Sequence, residues 1–359
     1  MKLPDVIILP PNRVWRSYLG GKIIDNIQGK TEAKDSHFPE DWIASTTVAS
    51  NGEMEQRDNE GLSEVQIHGR WVTLKSLMEE YPAGILGLEH YQKYGANTQF
   101  LLKFLDSSIR LHVQAHPTIP FAKKYLNSNS GKTEAYVILG VRDEIKDPYI
   151  YLGFQKRMTP DVFKKIIEEQ DIARLLTYFE KIPIKPGDIF IVPGGLTHAI
   201  GEGVFMIEIM EPTDFVVRVE YKRGGYLLPH EARFMGRDVD FAINMIDFKK
   251  YGIDQIKQNY FCQPKLVKAN LGGTEYSLID RKKTKCFTIN KLIIKDTFMK
   301  KSDTFYVGVV TKGGGQIISD VSQVNIKMGD KFLVGYKTKD VMFISNNGME
   351  IILAFPLTI

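Results

Sequence analysis

Along most of the chain, apolar residues recur in strict alternation or in short unbroken runs, and both patterns predict β-strands rather than helices. Strand-length segments include KFLDSS, IRLHVQAH, AYVILG, IYLGFQ, DIFIVPG, GVFMIEIM and DFVVRVEY, with Gly, Pro, Asn and Asp between them at close intervals. That spacing favours a barrel or sandwich over a parallel α/β sheet. From about Pro264 the pattern resumes through KLIIKD, TFYVGVV, KFLVGY, DVMFIS and EIILAF. The expected fold is mainly β, with a larger domain over residues 1–263 and a second β-domain over 264–359.

Helical periodicity is confined to a few places. The clearest runs from Thr159 to about Glu180, where Thr159 caps, Pro160 suits the first turn, and Val162, Phe163, Ile166 and Ile167, then Ile172, Leu175, Leu176 and Phe179, fall at three- and four-residue spacings. This insertion, at about 159–181, reads as two short helices between strands. Shorter helices are expected around 74–81, 119–126 and 230–246. No heptads, low-complexity run or Ser/Gly linker appears, so the two domains are expected to pack tightly.

One cluster of polar residues breaks the apolar pattern in a chemically specific way. Gln114 and His116 lie two apart on an expected strand and therefore share one face. Glu134 follows on the next strand, and His198 stands inside GDIFIVPGGLTHAIG. A lone strand histidine is ordinarily a hydrogen-bonded core residue; the joint pattern of Gln114, His116, Glu134 and His198 is what points to metal. Two neutral imidazoles, an amide oxygen and one carboxylate would leave a divalent ion with a net charge of about +1, suited to polarising a sugar oxygen.

Composition narrows the partners. At roughly one domain per 150 residues, 359 residues suggest about two domains. A formal charge of +4 without dense Lys/Arg clustering excludes a nucleic-acid surface, while leaving local cations for an anionic small molecule. Cys262 and Cys286, the only cysteines, offer neither a disulfide framework nor a thiolate metal site, which favours a cytoplasmic setting. The start, MKLPDVIILPP, is too short in apolar residues for a signal peptide or membrane span, so a soluble, unprocessed chain is expected.

His198 closes a Gly-x5-Pro-x-Gly-x2-His frame that begins at Gly187 and passes through Pro193 and Gly195. With EDWIASTTVASNG at Glu40 to Gly52, LLKFLDSS, HVQAHP, GKTEAY, VPGGLTHAIGEG and EIMEPTDFVVR, the chain resembles the cupin superfamily and, within it, the type I phosphomannose isomerases. The resemblance spans most of residues 1–250. It implies two cupin-like jelly-roll β-domains with a small helical insertion, one zinc or other divalent ion per chain held by Gln114, His116, Glu134 and His198, and a monomer or homodimer that interconverts mannose 6-phosphate and fructose 6-phosphate. By matching position, Lys132 would lie beside the substrate, Arg218 would be the catalytic arginine at the end of an element beginning at Asp214, and Glu208 would be the carboxylate proposed as base in some members.

Residue chemistry supports these roles. Glu208 is the lone charge in VFMIEIM and must be paired if buried. A hairpin centred near Thr213 would set it opposite Arg218. Metal, carboxylate and arginine together suffice for an aldose–ketose isomerase passing through an ene-diolate. His112 departs from the resemblance, because members commonly carry serine there in the phosphate site. Its imidazole is expected to bind phosphate as a cation, to transfer protons, or to mark another, unphosphorylated sugar; a satisfied strand histidine is the plain alternative. An isomerase or epimerase of another sugar, and a non-catalytic cupin-like sugar-binding protein, are the competing readings. The second domain has MGDKFLVG but no histidine after His230, so it is expected to lack a metal site.

Overall fold

The computed structural model describes residues 3–51 and 58–357; Gly52, which ends the EDWIASTTVASNG segment, lies outside them. The expected mainly β fold is present as two antiparallel sheets followed by a third. A six-stranded sheet runs Ile189–Val192, Glu134–Val141, Val204–Met210, Leu101–Asp106, Glu40–Ile43, Arg13–Val14, in spatial order. A five-stranded sheet runs Ile182–Pro183, Tyr149–Leu152, His198–Ile200, Gln114–Ala115, Val217–Arg218.

Because successive strand residues point to opposite faces, each strand serves two layers. Leu105, Tyr136, Ile138 and Met206 of the larger sheet meet Ile150, Leu152 and Ile200 of the smaller one in a shared core. The other face of the smaller sheet, through Ala115, Tyr151, Ala199 and Val217, packs on the helix Pro160–Glu169 and on Phe234 and Ala242. Thr159 caps that helix by accepting the Val162 N–H, with Pro160 in its first turn. The other face of the larger sheet, through Phe104, Val137, Ile191 and Ile207, packs on Phe287, Ile289, Val307 and Leu333 of the carboxy-terminal domain.

That last domain is a ten-stranded sheet curled around its own core of Leu292, Phe298, Val310, Phe332 and Phe343. Its edge includes the amino-terminal strand Val6–Leu9, which pairs with Lys331–Val334. Chain order and packing therefore part company at the amino terminus: the first strand of the chain completes the sheet of the last domain. Among the described residues no helix is long and apolar enough to cross a membrane.

Two local expectations are corrected. The segment IRLHVQAH is ladder-paired as a strand only at Gln114–Ala115. Just before it the Val113 N–H donates to the Glu220 carboxylate at 3.3 Å and Arg110 grips the same carboxylate with two bonds of 2.9 Å, so side-chain bonds stand beside the remaining backbone bonds from Leu111 to Ile200 and from Val219 to Val113. The hairpin across Thr213 does not form. Glu208 pairs in register with Lys103 and Tyr136 in the larger sheet, whereas Arg218 pairs with Gln114 in the smaller one. The helices Lys22–Ile27, Leu88–Tyr94 and Ile253–Tyr260 were not among those expected from the sequence; none of the three has a side-chain oxygen at its N-cap, where glycine stands instead.

Asp41 ties the domains together. Between the inward-facing Glu40 and Trp42 it points outward, and its carboxylate meets the Lys331 ammonium with both groups buried. The Asn12 N–H and the Gln28 amide complete its shell at 2.8 and 2.6 Å. Lys331→Ala is expected to cost about 3 kcal/mol, near the lower end for a broken buried pair because Asn12 and Gln28 still donate. Lys301→Ala, which removes an exposed pair with Asp340, should cost less than about 1 kcal/mol. Urea denaturation midpoints measure both; equal effects would show that Asp41 and Lys331 do not lock the domains.

Candidate metal centre and active site

The metal-ligand candidates come from facing sheets and meet inside the sandwich. Gln114, His198 and, one residue past its strand, His116 belong to the smaller sheet; Glu134 opens a strand of the larger one. His116, Glu134 and His198 are buried, and one ligand atom of each lies within 4.8 Å of the others. This is the only such grouping of His, Cys, Asp and Glu among the described residues.

Backbone carbonyls set the imidazoles. His116 Nδ1 lies 2.9 Å from the Phe215 carbonyl, and His198 Nδ1 lies 2.8 Å from the Leu196 carbonyl. Each Nδ1 therefore carries the proton and donates, which leaves both Nε2 atoms as bare lone pairs. His116 Nε2 points at Glu134 Oε1 from 3.1 Å, yet neither atom has a hydrogen-bond partner. His198 Nε2 lies 3.5 Å from Glu134 Oε2 and 3.4 Å from the Gln114 amide, whose oxygen reaches the same place when the amide is turned over. Acceptors converging on one buried point fit a divalent cation.

Burial keeps the His116 imidazole neutral, pushing its pKa down to about 4 although Glu134 pulls upward. Glu134 is held well below the usual carboxylate range, with the Lys132 ammonium 3.3 Å from Oε1 as the lasting cation that opposes its burial. Tyr136 donates its hydroxyl to Glu134 Oε2, orienting the carboxylate from behind. The loop bearing His198 can approach because it carries two glycines. A Cβ at Gly194 would stand 2.5 Å from the Pro117 carbonyl, and Gly195 adopts φ +88° while donating to the His116 carbonyl at 2.7 Å.

The remaining predicted residues line the same cleft. Lys132 is buried rather than solvated, with its ammonium 3.3 Å from Glu134 Oε1. Glu208 and Arg218 face it from opposite sheets, but Glu208 takes Lys103 as its ion-pair partner, at 3.0 Å. Burial, opposed by Lys103 and reinforced by Glu134, holds the Glu208 carboxyl well above the ordinary range. Arg218 donates to the Ala232 carbonyl at 3.0 Å.

His112 lines the cleft as well, with Nδ1 bonded to the Glu220 carbonyl at 2.8 Å and Nε2 3.4 Å from Ser17 Oγ. Burial, helped by Arg218, Arg223 and Arg110, pushes its pKa down to about 3. Burial first, and the arginines after it, favour the neutral ring.

Sequence reasoning gave no role to Arg16, Tyr18, Glu40 or Lys103, which form one buried network in the cleft wall. Glu40 accepts from Arg16 at 2.9 Å, Tyr18 at 2.5 Å and Trp42 at 2.7 Å, and its other ion pair is with Lys103 at 3.2 Å. Arg16 and Lys103 hold its carboxyl well below the ordinary range although burial works the other way. Arg16 also reaches Asp214 at 3.2 Å, explaining the acid that begins the Arg218 element. The charges in EDWI and LLKF, at strand positions where apolar residues are expected, were the available signal.

Comparison with known proteins accords with this geometry. No family model matches the chain. The probable mannose-6-phosphate isomerase GmuF of Bacillus subtilis (strain 168) is 30% identical over 236 residues, 65% of this chain and 68% of that protein. Among solved structures, the mannose 6-phosphate isomerase from Bacillus subtilis superposes with a TM-score of 0.76 at 20% identity, covering 98% of this chain and 99% of that one. A zinc-bound mannose 6-phosphate isomerase gives 0.70 at 14% identity, covering 98% and 100%. With sequence identity extending over two thirds of the relative, and a fold shared from end to end, the chain belongs to the mannose-6-phosphate isomerase family.

Proposed function

We propose that the protein interconverts mannose 6-phosphate and fructose 6-phosphate, using zinc held by Gln114, His116, Glu134 and His198. The observation that carries this reading is the pair His116 Nε2 and Glu134 Oε1, 3.1 Å apart with no hydrogen-bond partner for either, at the wall of a cleft that Glu134 lines together with Glu208 and Arg218. Bound there, the ion supplies a Lewis acid that polarises the sugar oxygens.

The chain's own groups do the rest. Glu208 moves the proton between the first two sugar carbons; a carboxyl held above its ordinary pKa is better suited than an exposed one to take up and return a proton. Lys103 pairs with its charged form, so neither protonation state is stranded. Arg218 forms no carboxylate ion pair among the described residues, which leaves its charge for the ene-diolate. Lys132, paired with Glu134, anchors the substrate beside the metal ligands. We place the enzyme in the cytoplasm, with a cupin-type catalytic domain over residues 1–263 and a metal-free second domain over 264–359.

A coupled assay should detect fructose 6-phosphate from mannose 6-phosphate, with activity lost to chelator and restored by zinc. Glu208→Gln should reduce turnover by roughly 10²- to 10⁴-fold at unchanged metal content. Full activity in verified metal-free protein, or in Glu208→Gln, would contradict the proposal.

His112 yields a separate expectation. Its folded pKa of about 3 lies below the ordinary 6.5, so above pH 6.5 neither folded nor unfolded chain protonates it. As pH falls from 6.5 toward 3, the unfolded chain takes up a proton that the folded one refuses, and stability is lost. His112→Ser should therefore flatten the fall of the denaturation midpoint between pH 7 and 5, while the pH profile of KM for mannose 6-phosphate keeps its wild-type shape. An inflection in KM near pH 6.5 that disappears in His112→Ser would restore the imidazolium reading.

A further inference from the structure

Lys132 sits on a stretch of chain that belongs to no strand, yet it is buried within ion-pair distance of Glu134. A backbone outside the sheet ladders must satisfy its buried N–H groups some other way. Glu211, itself buried, does this with one carboxylate: Oε1 accepts the Gly131 N–H at 3.0 Å and Oε2 accepts the Thr133 N–H at 2.8 Å. The two bonds straddle Lys132. Three more complete the hold: the Glu211 N–H donates to the Thr133 carbonyl at 3.1 Å, the Thr213 hydroxyl to the Gly131 carbonyl at 2.6 Å, and the Lys132 N–H to the Pro117 carbonyl at 2.9 Å.

Sterics close the remaining freedom. A Cβ at Gly131 would stand 2.5 Å from the Pro117 carbonyl, so the loop lies flush against the segment that carries His116. From the carboxy-terminal domain the Cys286 thiol lies beside both Glu211 and Thr133. We infer that Glu211 is a positioning residue for Lys132: its carboxylate, by holding the amides on either side, sets where the Lys132 ammonium stands in the cleft. The inference rests on the isomerase reading for its kinetic consequence and on geometry alone for its structural one. Glutamine cannot replace the clamp, because its amide offers one acceptor where two N–H groups converge and turns a donor toward the other.

The test is a double-mutant cycle of Glu211→Gln and Lys132→Ala on kcat/KM, with zinc content measured on each variant. Glu211→Gln alone should lower kcat/KM by roughly 10- to 100-fold, as a misplaced catalytic-site group does, with zinc retained. In the Lys132→Ala background the same change should cost no more than about twofold, because the residue through which it acts is gone. Equal losses in both backgrounds, unchanged activity, or lost zinc would overturn the inference. Thr213→Val, which removes only the bond to the Gly131 carbonyl, should show a smaller loss with the same dependence on Lys132 and carries the cycle if Glu211→Gln does not fold. Acylation of lysines, followed peptide by peptide, reads the position without any reaction: Glu211→Gln should speed labelling of Lys132 and leave the buried Lys103 and Lys331 at wild-type rates. A wild-type protein without isomerase activity would defeat the proposed function, and unchanged Lys132 labelling would then still defeat the clamp.

Discussion

Two acceptors that face each other across 3.1 Å with no hydrogen between them, His116 Nε2 and Glu134 Oε1, are the constraint around which this protein is built. The Phe215 carbonyl takes the only proton of the neutral imidazole, so the other nitrogen confronts a carboxylate as a bare lone pair. An unsatisfied buried acceptor costs about 1–3 kcal/mol, and an interior that places such atoms together pays that cost only where a cation resolves it. Burial favours the neutral His116 imidazole, and the Lys132 ammonium favours an ionised Glu134, so on the proposed reading both groups can bind a cation without first releasing a proton.

Strand alternation delivers this arrangement. In the smaller sheet Ala115, Ala199 and Val217 turn out to the helices while Gln114 and Arg218 turn in to the cleft and His198 turns in to Glu134. In the larger sheet Ala135 and Ile207 turn out to the carboxy-terminal domain while Glu134 and Glu208 turn in. The same rule makes that domain a partner of the site: Glu40 anchors the inner network of Arg16, Tyr18 and Lys103, and Asp41, the next residue, faces out to Lys331. A shift of the interface would be felt one residue from the cleft wall.

Much of this was legible in the sequence because a two-residue period is a local property. Gln114 and His116 could be assigned to one face, the Gly-x5-Pro-x-Gly-x2-His frame singled out His198, and the Thr159–Pro160 cap marked its helix. What was not legible depends on which sheet a strand joins. Glu208 and Arg218 lie ten residues apart and look like two arms of a hairpin, yet the chain between them crosses from one sheet to the other, so they face across the cleft. For the same reason Lys103, distant in sequence, could not be named as the partner of Glu208. The downward pull on the His112 pKa comes from burial and then from arginines, of which Arg218 and Arg223 lie more than a hundred residues along the chain.

X-ray absorption at the zinc edge of the reconstituted protein tests the central claim most directly, because it reports the ligand atoms themselves. The account predicts one zinc per chain with only nitrogen and oxygen neighbours at about 2.0–2.2 Å and the outer-shell signature of two imidazoles. A sulfur neighbour, which would have to come from Cys262 or Cys286, or a zinc without imidazole scattering, would contradict it.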